Sequence, residues 1–347
     1  MTFIKNLILS VVSIIILLLV IGSIFFYLFI KNEYKPKLLE SLKFEGNAIT
    51  EIGKDTLSIL TWNIGYCGLG AESDFFYEGG KDVIPEEKFY KKNVESIANF
   101  FYKIDSVDFI LMQEIDKNSK RSYYLDQFDM LSKVLYHYGH SFAINYNSFF
   151  VPEPVSNPYG KVLSGIGIFS KYEPFISAKY NFGNDAEWPK SLFFPDRCFM
   201  LMRYKLPNCC RDLVLINTHN SYFDSAIKHE EKLEKLKKVI LSEYKKGNYV
   251  IVGGDWNSVP PDYNLKNSYV KTTVPKAFSD AGWKWEYDKN HPTNRSVNMP
   301  YNSKKSKTAT LDFFLTSPNI ETVSIKCIDL KFQNSDHQPV LIKIKVK

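Results

Sequence analysis

Arginine is scarce in this sequence: of its 44 basic residues only Arg121, Arg197, Arg203, Arg211 and Arg295 carry a guanidinium. A lysine-rich surface gives diffuse positive charge, without the planar two-pronged donors that read phosphates in register. The net charge of +6 is too small to imply a nucleic-acid partner by itself, and it suits the neighbourhood of an anionic membrane equally well. Cysteine is also sparse. Cys67, Cys198, Cys209, Cys210 and Cys327 make an odd count with no C-x-x-C spacing, which supports neither a zinc site nor a disulfide framework. Cys209 and Cys210 follow Pro207 and Asn208 at an expected turn, and a single bridge among the five is left open. There is no internal repeat and no low-complexity tract. With 45% hydrophobic and 15% aromatic residues the composition excludes a disordered or collagen-like chain.

One long apolar run is present. Leu7 to Ile30 holds no charge and is interrupted only by Ser10, Ser13, Gly22 and Ser23. At ~1.5 Å per residue such a helix spans the ~30 Å hydrocarbon core of a bilayer. A secretory signal has a shorter apolar stretch, about 7–15 residues, and a small-residue cleavage site, whereas this run leaves through Phe25, Phe26, Tyr27, Leu28, Phe29 and Ile30. The expectation is an uncleaved single-pass membrane anchor over 7–30. Lys5 precedes it, and Lys31, Lys35, Lys37 and Lys43 follow, an asymmetry that by charge alone would keep the rest of the chain cytoplasmic. That rule loses force before a long domain, and the expectation adopted is that the domain lies outside the cytoplasm.

Residues 31–55 are polar without strong periodicity and read as a linker. From residue 56 to 347 no further boundary is visible. Short apolar runs predict strands at 57–62, 108–113, 165–170, 198–205, 212–218, 249–253, 310–316 and 339–346, and helical periodicity predicts helices at 85–103, 122–138 and 225–246. The last places Leu233, Leu236, Ile240 and Tyr244 on one face and stops at Gly247 and Asn248.

Uncommon polar residues sit at the ends of these strands. Asn63 follows Leu-Thr-Trp, Glu114 follows Leu-Met-Gln, and His219 follows Ile-Asn-Thr. Asp255 and Asn257 follow Ile-Val-Gly-Gly, Asp312 precedes Phe-Phe-Leu, and Asp336 and His337 precede Gln-Pro-Val. Singly, each has an ordinary structural explanation in turns and caps. Together they would meet at one rim of a sandwich, where loops build sites on a rigid scaffold. The oxygen donors of Asn63, Glu114 and Asp336 suit Mg²⁺ or Mn²⁺ better than zinc.

Trp62-Asn63, Gln113-Glu114, Ser164 to Ser170, Thr218-His219, Gly254-Asp255-Trp256-Asn257, Leu311-Asp312-Phe313 and Ser335-Asp336-His337 together resemble, in order, the motifs of the endonuclease/exonuclease/phosphatase (DNase I-like) superfamily. The resemblance runs from about residue 57 to the C-terminus. It implies an α/β fold, a four-layer sandwich of two mixed β-sheets flanked by helices, here preceded by the N-terminal helix. It also implies a metal-dependent phosphoric ester hydrolase using Mg²⁺ or Mn²⁺. On this reading Glu114 is the principal metal ligand, supported by Asn63 and Asp336. Asp255 aligns or deprotonates the attacking water, and Asn257 binds a phosphate oxygen. His337, oriented by Asp312, steadies charge at the scissile phosphate, and His219 is a second phosphate contact or proton donor.

The resemblance does not choose the phosphoester. After Asn63 the chain reads Ile-Gly-Tyr-Cys, unlike the Asn-Gly-Leu-Arg of abasic-site enzymes, and Thr310 stands where an arginine is common. Aromatic residues at 75–77, at Trp188, Phe193 and Phe194, and at Trp283 and Trp285 either pack the fold or meet lipid or bases. With an anchor beside them, the favoured substrate is a membrane lipid phosphodiester, as in a sphingomyelinase. A surface nuclease acting on DNA or RNA is the alternative, and an inactive membrane-tethered binding module is the third. No partner protein is identifiable.

Overall fold

The computed structural model describes residues 2–346 apart from 105, 185, 208–209, 222–225 and 281. The chain begins with α1 (Thr2–Lys31), β1 (Leu39–Ser41), β2 (Glu45–Gly46), β3 (Thr56–Asn63), α2 (Glu87–Lys103), β4 (Phe109–Asp116) and α3 (Gln127–Val134). It continues with β5 (Gly139–Val151), β6 (Gly160–Ser170), β7 (Ile176–Asn181), β8 (Cys198–Lys205), β9 (Asp212–His219), α4 (Ala226–Lys245) and β10 (Tyr249–Asp255). The last part holds β11 (Lys284–Glu286), β12 (Asn294–Arg295), β13 (Thr308–Ala309), β14 (Asp312–Thr316), β15 (Ile320–Cys327) and β16 (Val340–Val346).

Two seven-stranded mixed sheets result, in the orders β1-β7-β8-β9-β10-β14-β11 and β15-β16-β3-β4-β6-β5-β2. Both faces of the central strands are covered, which is why they read as nearly continuous apolar runs. Alternate residues divide between layers. Leu57, Ile59, Phe109 and Leu111 of one sheet pack against Met200, Leu213, Leu215 and Ile251 of the other. Leu60, Trp62, Ile110 and Met112 face outward onto Ile97, Phe101 and Leu131 of α2 and α3. On the far side Val214, Ile216, Val250 and Val252 meet Leu233, Leu236 and Ile240 of α4. The architecture is therefore helix, sheet, sheet, helix, with the central core between the sheets.

α1 is long and apolar enough to cross a membrane, and none of its apolar stretch is buried against the protein. The segment after it departs from a free linker. Leu39–Ser41 pairs with β7, Glu45–Gly46 pairs with β5, and Ile49 bridges to Tyr172. The chain thus closes one edge of each sheet in passing, and Ile52 is buried. Strands of two or three residues are too short to show a period, so composition alone reads them as loop.

The longest strand, β5, is absent from the apolar pattern. Its buried positions are Gly139, Ser141, Ala143, Asn145, Ser148 and, at its end, Val151, while Phe142, Ile144 and Tyr146 are half-buried on the other side. Small and polar residues on the buried face hide the alternation. α3 is shorter than its expected span of 122–138; it begins at Asp126, whose carboxylate accepts from the Asp129 amide at 2.9 Å. Ser225, the expected first residue of α4, and Cys209 lie outside the described residues. Cys67, Cys198, Cys210 and Cys327 are free thiols.

Candidate active site

Register brings the strand-end residues together. β9 and β10 run parallel with His219 opposite Asp255, and antiparallel β14 places Asp312 opposite Asp255 on the other side. Three neighbouring strands therefore present His219, Asp255 and Asp312 in one row. Gly254 makes the close approach of β9 to β10 feasible: at φ +143°, a Cβ there would lie 2.0 Å from the Thr218 carbonyl oxygen. In the second sheet β3 and β4 are also parallel, ending at Asn63 and Gln113 side by side. A register shift against β6 between Met112 and Ile115 throws Glu114 off the ladder with φ 51° and turns its side chain towards the cleft. Asn257, φ 48°, is the second left-handed position at this rim.

The side chains form a connected set. His337 Nδ1 lies 2.7 Å from Asp312 Oδ2, and its Nε2 lies 2.9 Å from the Asn294 amide, 3.7 Å from Asp255 and 3.9 Å from Asp336. Burial works against charge on His337, but the carboxylates of Asp312, Asp255 and Asp336 outweigh it and hold the imidazole well above the usual histidine range. Asn63 donates to Asp255 Oδ2 at 2.9 Å, and the Asn257 backbone amide donates to Asp255 Oδ1 at 2.9 Å.

His219 is the opposite case. Burial and then the Arg197 guanidinium push it well below the usual range, so it is neutral. Arg197 Nη1 lies 2.9 Å from His219 Nδ1, and a guanidinium only donates, so Nδ1 accepts and the proton sits on Nε2. That Nε2–H is buried, makes no hydrogen bond, and stands 3.5 Å from Asp255 and 3.8 Å from Glu114. His337 is thus pushed towards its charged form and His219 away from it, so neighbouring carboxylates and a guanidinium separate the proton affinities of two imidazoles at one site.

Glu114, Asp255, Asn257, Asp336 and His337 line one side of a cavity of about 210 Å³. The other side is aromatic: Tyr66, Phe75, Tyr77, Tyr146, Tyr159, Phe193 and Phe194. Asn63, His219 and Asp312 stand behind the lining, each 1% exposed or less. The donor set fits a hard divalent cation. Burial, reinforced by the Glu114 charge, raises Asp336 to about 7. Asn63 Oδ1 is partly committed, accepting from the Gly65 amide at 2.9 Å. Asp255, Asp312 and His337 also offer ligand atoms within 4.8 Å of one another. Within that group His337 Nδ1 and Asp312 Oδ2 are already joined at 2.7 Å.

Three of the rare arginines gather at this cleft. Arg197 sets the His219 tautomer. Arg121 is held by Asp116 at 2.8 and 2.9 Å and lies over the Tyr66 ring. Arg295, fully buried, donates to the carbonyls of Leu69, Gly70 and Ser73 and fixes the loop below the cavity. Arg197 and Asn294 carry no motif around them in the sequence; rarity of arginine was the one available signal. Of the aromatic groups, Phe75, Tyr77, Phe193 and Phe194 reach the cavity, whereas Trp283 and Trp285 belong to the outer core with Trp256, Phe278 and Phe313.

Compared by sequence with curated proteins, the chain matches none. A family model described as the endonuclease/exonuclease/phosphatase family matches residues 60–337. Among solved structures, an endonuclease/exonuclease/phosphatase from Beutenbergia cavernae DSM 12333 is 16% identical with a TM-score of 0.53, covering 84% of this chain and 72% of its own. The human Nocturnin catalytic domain with bound sulfate is 15% identical, TM-score 0.52, covering 88% and 97%. ANGEL2, a 2′,3′-cyclic phosphatase in complex with adenosine-2′,3′-vanadate, is 15% identical, TM-score 0.56, covering 88% and 99%. At such identities these structures share the fold, and the family model supplies the membership. The chain belongs to the endonuclease/exonuclease/phosphatase family, phosphoric ester hydrolases that generally use a divalent metal ion.

Proposed function

We propose that this protein is a membrane-anchored phosphodiesterase that cleaves a membrane lipid phosphodiester by in-line attack of water. The observation that carries the chemistry is the convergence of two histidines, His219 at 3.5 Å and His337 at 3.7 Å, on the Asp255 carboxylate. The observation that favours a lipid is the aromatic cavity wall beside an apolar helix. The anchor is α1, and the catalytic domain lies outside the cytoplasm.

In this reading Asp255 receives the proton of the attacking water, and Asn63 and the Asn257 amide hold its carboxylate in place. The water oxygen bonds to phosphorus as the opposite ester P–O bond breaks, and the departing ester oxygen keeps the bonding pair and takes up a proton from solvent to leave as an alcohol. His337 directs Nε2–H at a phosphoryl oxygen while Asp312 fixes the ring by accepting from Nδ1. His219 offers its Nε2–H to the other non-bridging oxygen, which the Asn257 side chain also contacts. Glu114 and Asp336, with Asn63 in support, would hold Mg²⁺ or Mn²⁺. Such an ion supplies charge neutralisation at the phosphoryl oxygens.

A nuclease is the second reading, because the same aromatic wall could stack bases. The purified full chain, given Mg²⁺ and a panel of sphingomyelin, phosphoinositides, plasmid DNA and RNA, separates them. EDTA-sensitive release of a lipid headgroup is expected. Cleavage of nucleic acid alone would sink the lipid reading, and inertness on the whole panel would favour a binding module.

A further inference from the structure

The end of α1 and the cavity share a wall. Phe29, in the last turn, packs edge-on against Phe193 with ring centroids 5.1 Å apart and against Phe149 of β5 at 6.1 Å. Phe26, one turn earlier, meets Trp188 at 5.9 Å. Phe193 also lines the cavity. The 183–196 loop is tied to β5, since Tyr146 donates to the Phe193 carbonyl at 2.7 Å and Ser148 to the Leu192 carbonyl at 3.0 Å. Just beyond the helix, the buried Lys179 donates to the Tyr34 hydroxyl at 2.8 Å. The helix therefore leaves along a fixed seam of the domain, beside the loop that forms the cavity rim.

That rim carries apolar surface that stays exposed among the described residues. Trp188 is 60% exposed and Phe149 44% exposed despite their contacts with α1. Exposed lysines follow in the chain, Lys31, Lys35 (paired with Glu33 at 2.9 Å) and Lys37 at the helix exit and Lys190 two residues after Trp188, alongside the exposed Glu187. Aromatic rings flanked by lysine at the end of a spanning helix are the composition of a membrane–water interface, where rings lie at headgroup depth and ammonium groups meet anionic lipid. We propose that the tip of the 183–196 loop at Trp188, together with Phe149, is seated in the interfacial layer of the bilayer that α1 crosses. The cavity then opens on the membrane surface and takes its phosphoester headgroup directly from the leaflet. The proposal rests on the anchored reading of α1 and holds for either orientation, because the seam keeps the loop on the side where the helix emerges.

The test reads position and not turnover. The full chain is reconstituted into phosphatidylcholine vesicles containing phosphatidylglycerol, with and without brominated acyl chains, alongside W188F. Trp62, Trp256, Trp283 and Trp285 are buried or packed in the core and stay in both proteins. Bromolipid should quench wild-type emission about twofold more than W188F emission. Equal quenching of the two proteins would overturn the interfacial seat, and failure of the chain to float with the vesicles would overturn the anchor beneath it. Quenching retained by a protein inert on the phosphoester panel would instead remove the hydrolase reading and leave this one standing.

Discussion

His337 and His219 lie within 4 Å of the same carboxylate, Asp255, yet hold protons differently because their partners differ. A carboxylate behind His337 and a guanidinium behind His219 are enough to separate them. In the proposed mechanism Asp312 is a positioning residue, and Asp312→Asn should lower kcat by about a hundredfold or more while KM moves little, since ring orientation and charge act chiefly in the transition state. A steady-state comparison on the cleaved substrate, with circular dichroism to confirm folding, checks this. A rise in KM at unchanged kcat would place Asp312 in substrate binding instead. At this scale the sequence was readable where a residue closed an apolar run, as at Asn63, His219 and Asp255. It was silent on Arg197 and Asn294, whose partners His219 and His337 are brought to them only by the tertiary fold.

Among the elements, legibility followed burial. β3, β4, β9 and β10 are buried nearly throughout, so their apolar runs mark them in the sequence. β5 buries serine, alanine and asparagine, and a hydrophobic pattern cannot mark it. The segment at 39–46 is invisible for another reason: its strands act by closing sheet edges, and an edge strand of two or three residues has no period. An open edge is a template for pairing with another chain. A chain beginning at Asn47 should therefore melt about 5 °C below one beginning at Leu38 and aggregate more readily on heating. Differential scanning calorimetry with light scattering reads both. Equal melting temperatures would return these residues to the role of a linker.

For the molecule as a whole, the two sheets deliver their parallel-strand ends to one rim, and α1 leaves along the same side as the aromatic half of that rim. Trp283 and Trp285 show the limit of reading aromatics from sequence. They serve the packing of α4 and β14, while Phe193 serves both helix and cavity. The scarcity of arginine acquires a meaning that composition could not supply, because Arg121, Arg197 and Arg295 stand around a single cleft. The central claim is that this cleft hydrolyses a phosphodiester at the membrane through His337 and a divalent cation. Its most direct test is headgroup release from sphingomyelin-containing vesicles by the reconstituted full chain, as wild type, as wild type with EDTA, and as His337→Ala. The account expects release by the wild type, its loss with EDTA, its recovery on adding excess Mg²⁺, and a loss of about a hundredfold or more in folded His337→Ala. Release by His337→Ala equal to wild type, or release indifferent to EDTA, would contradict it.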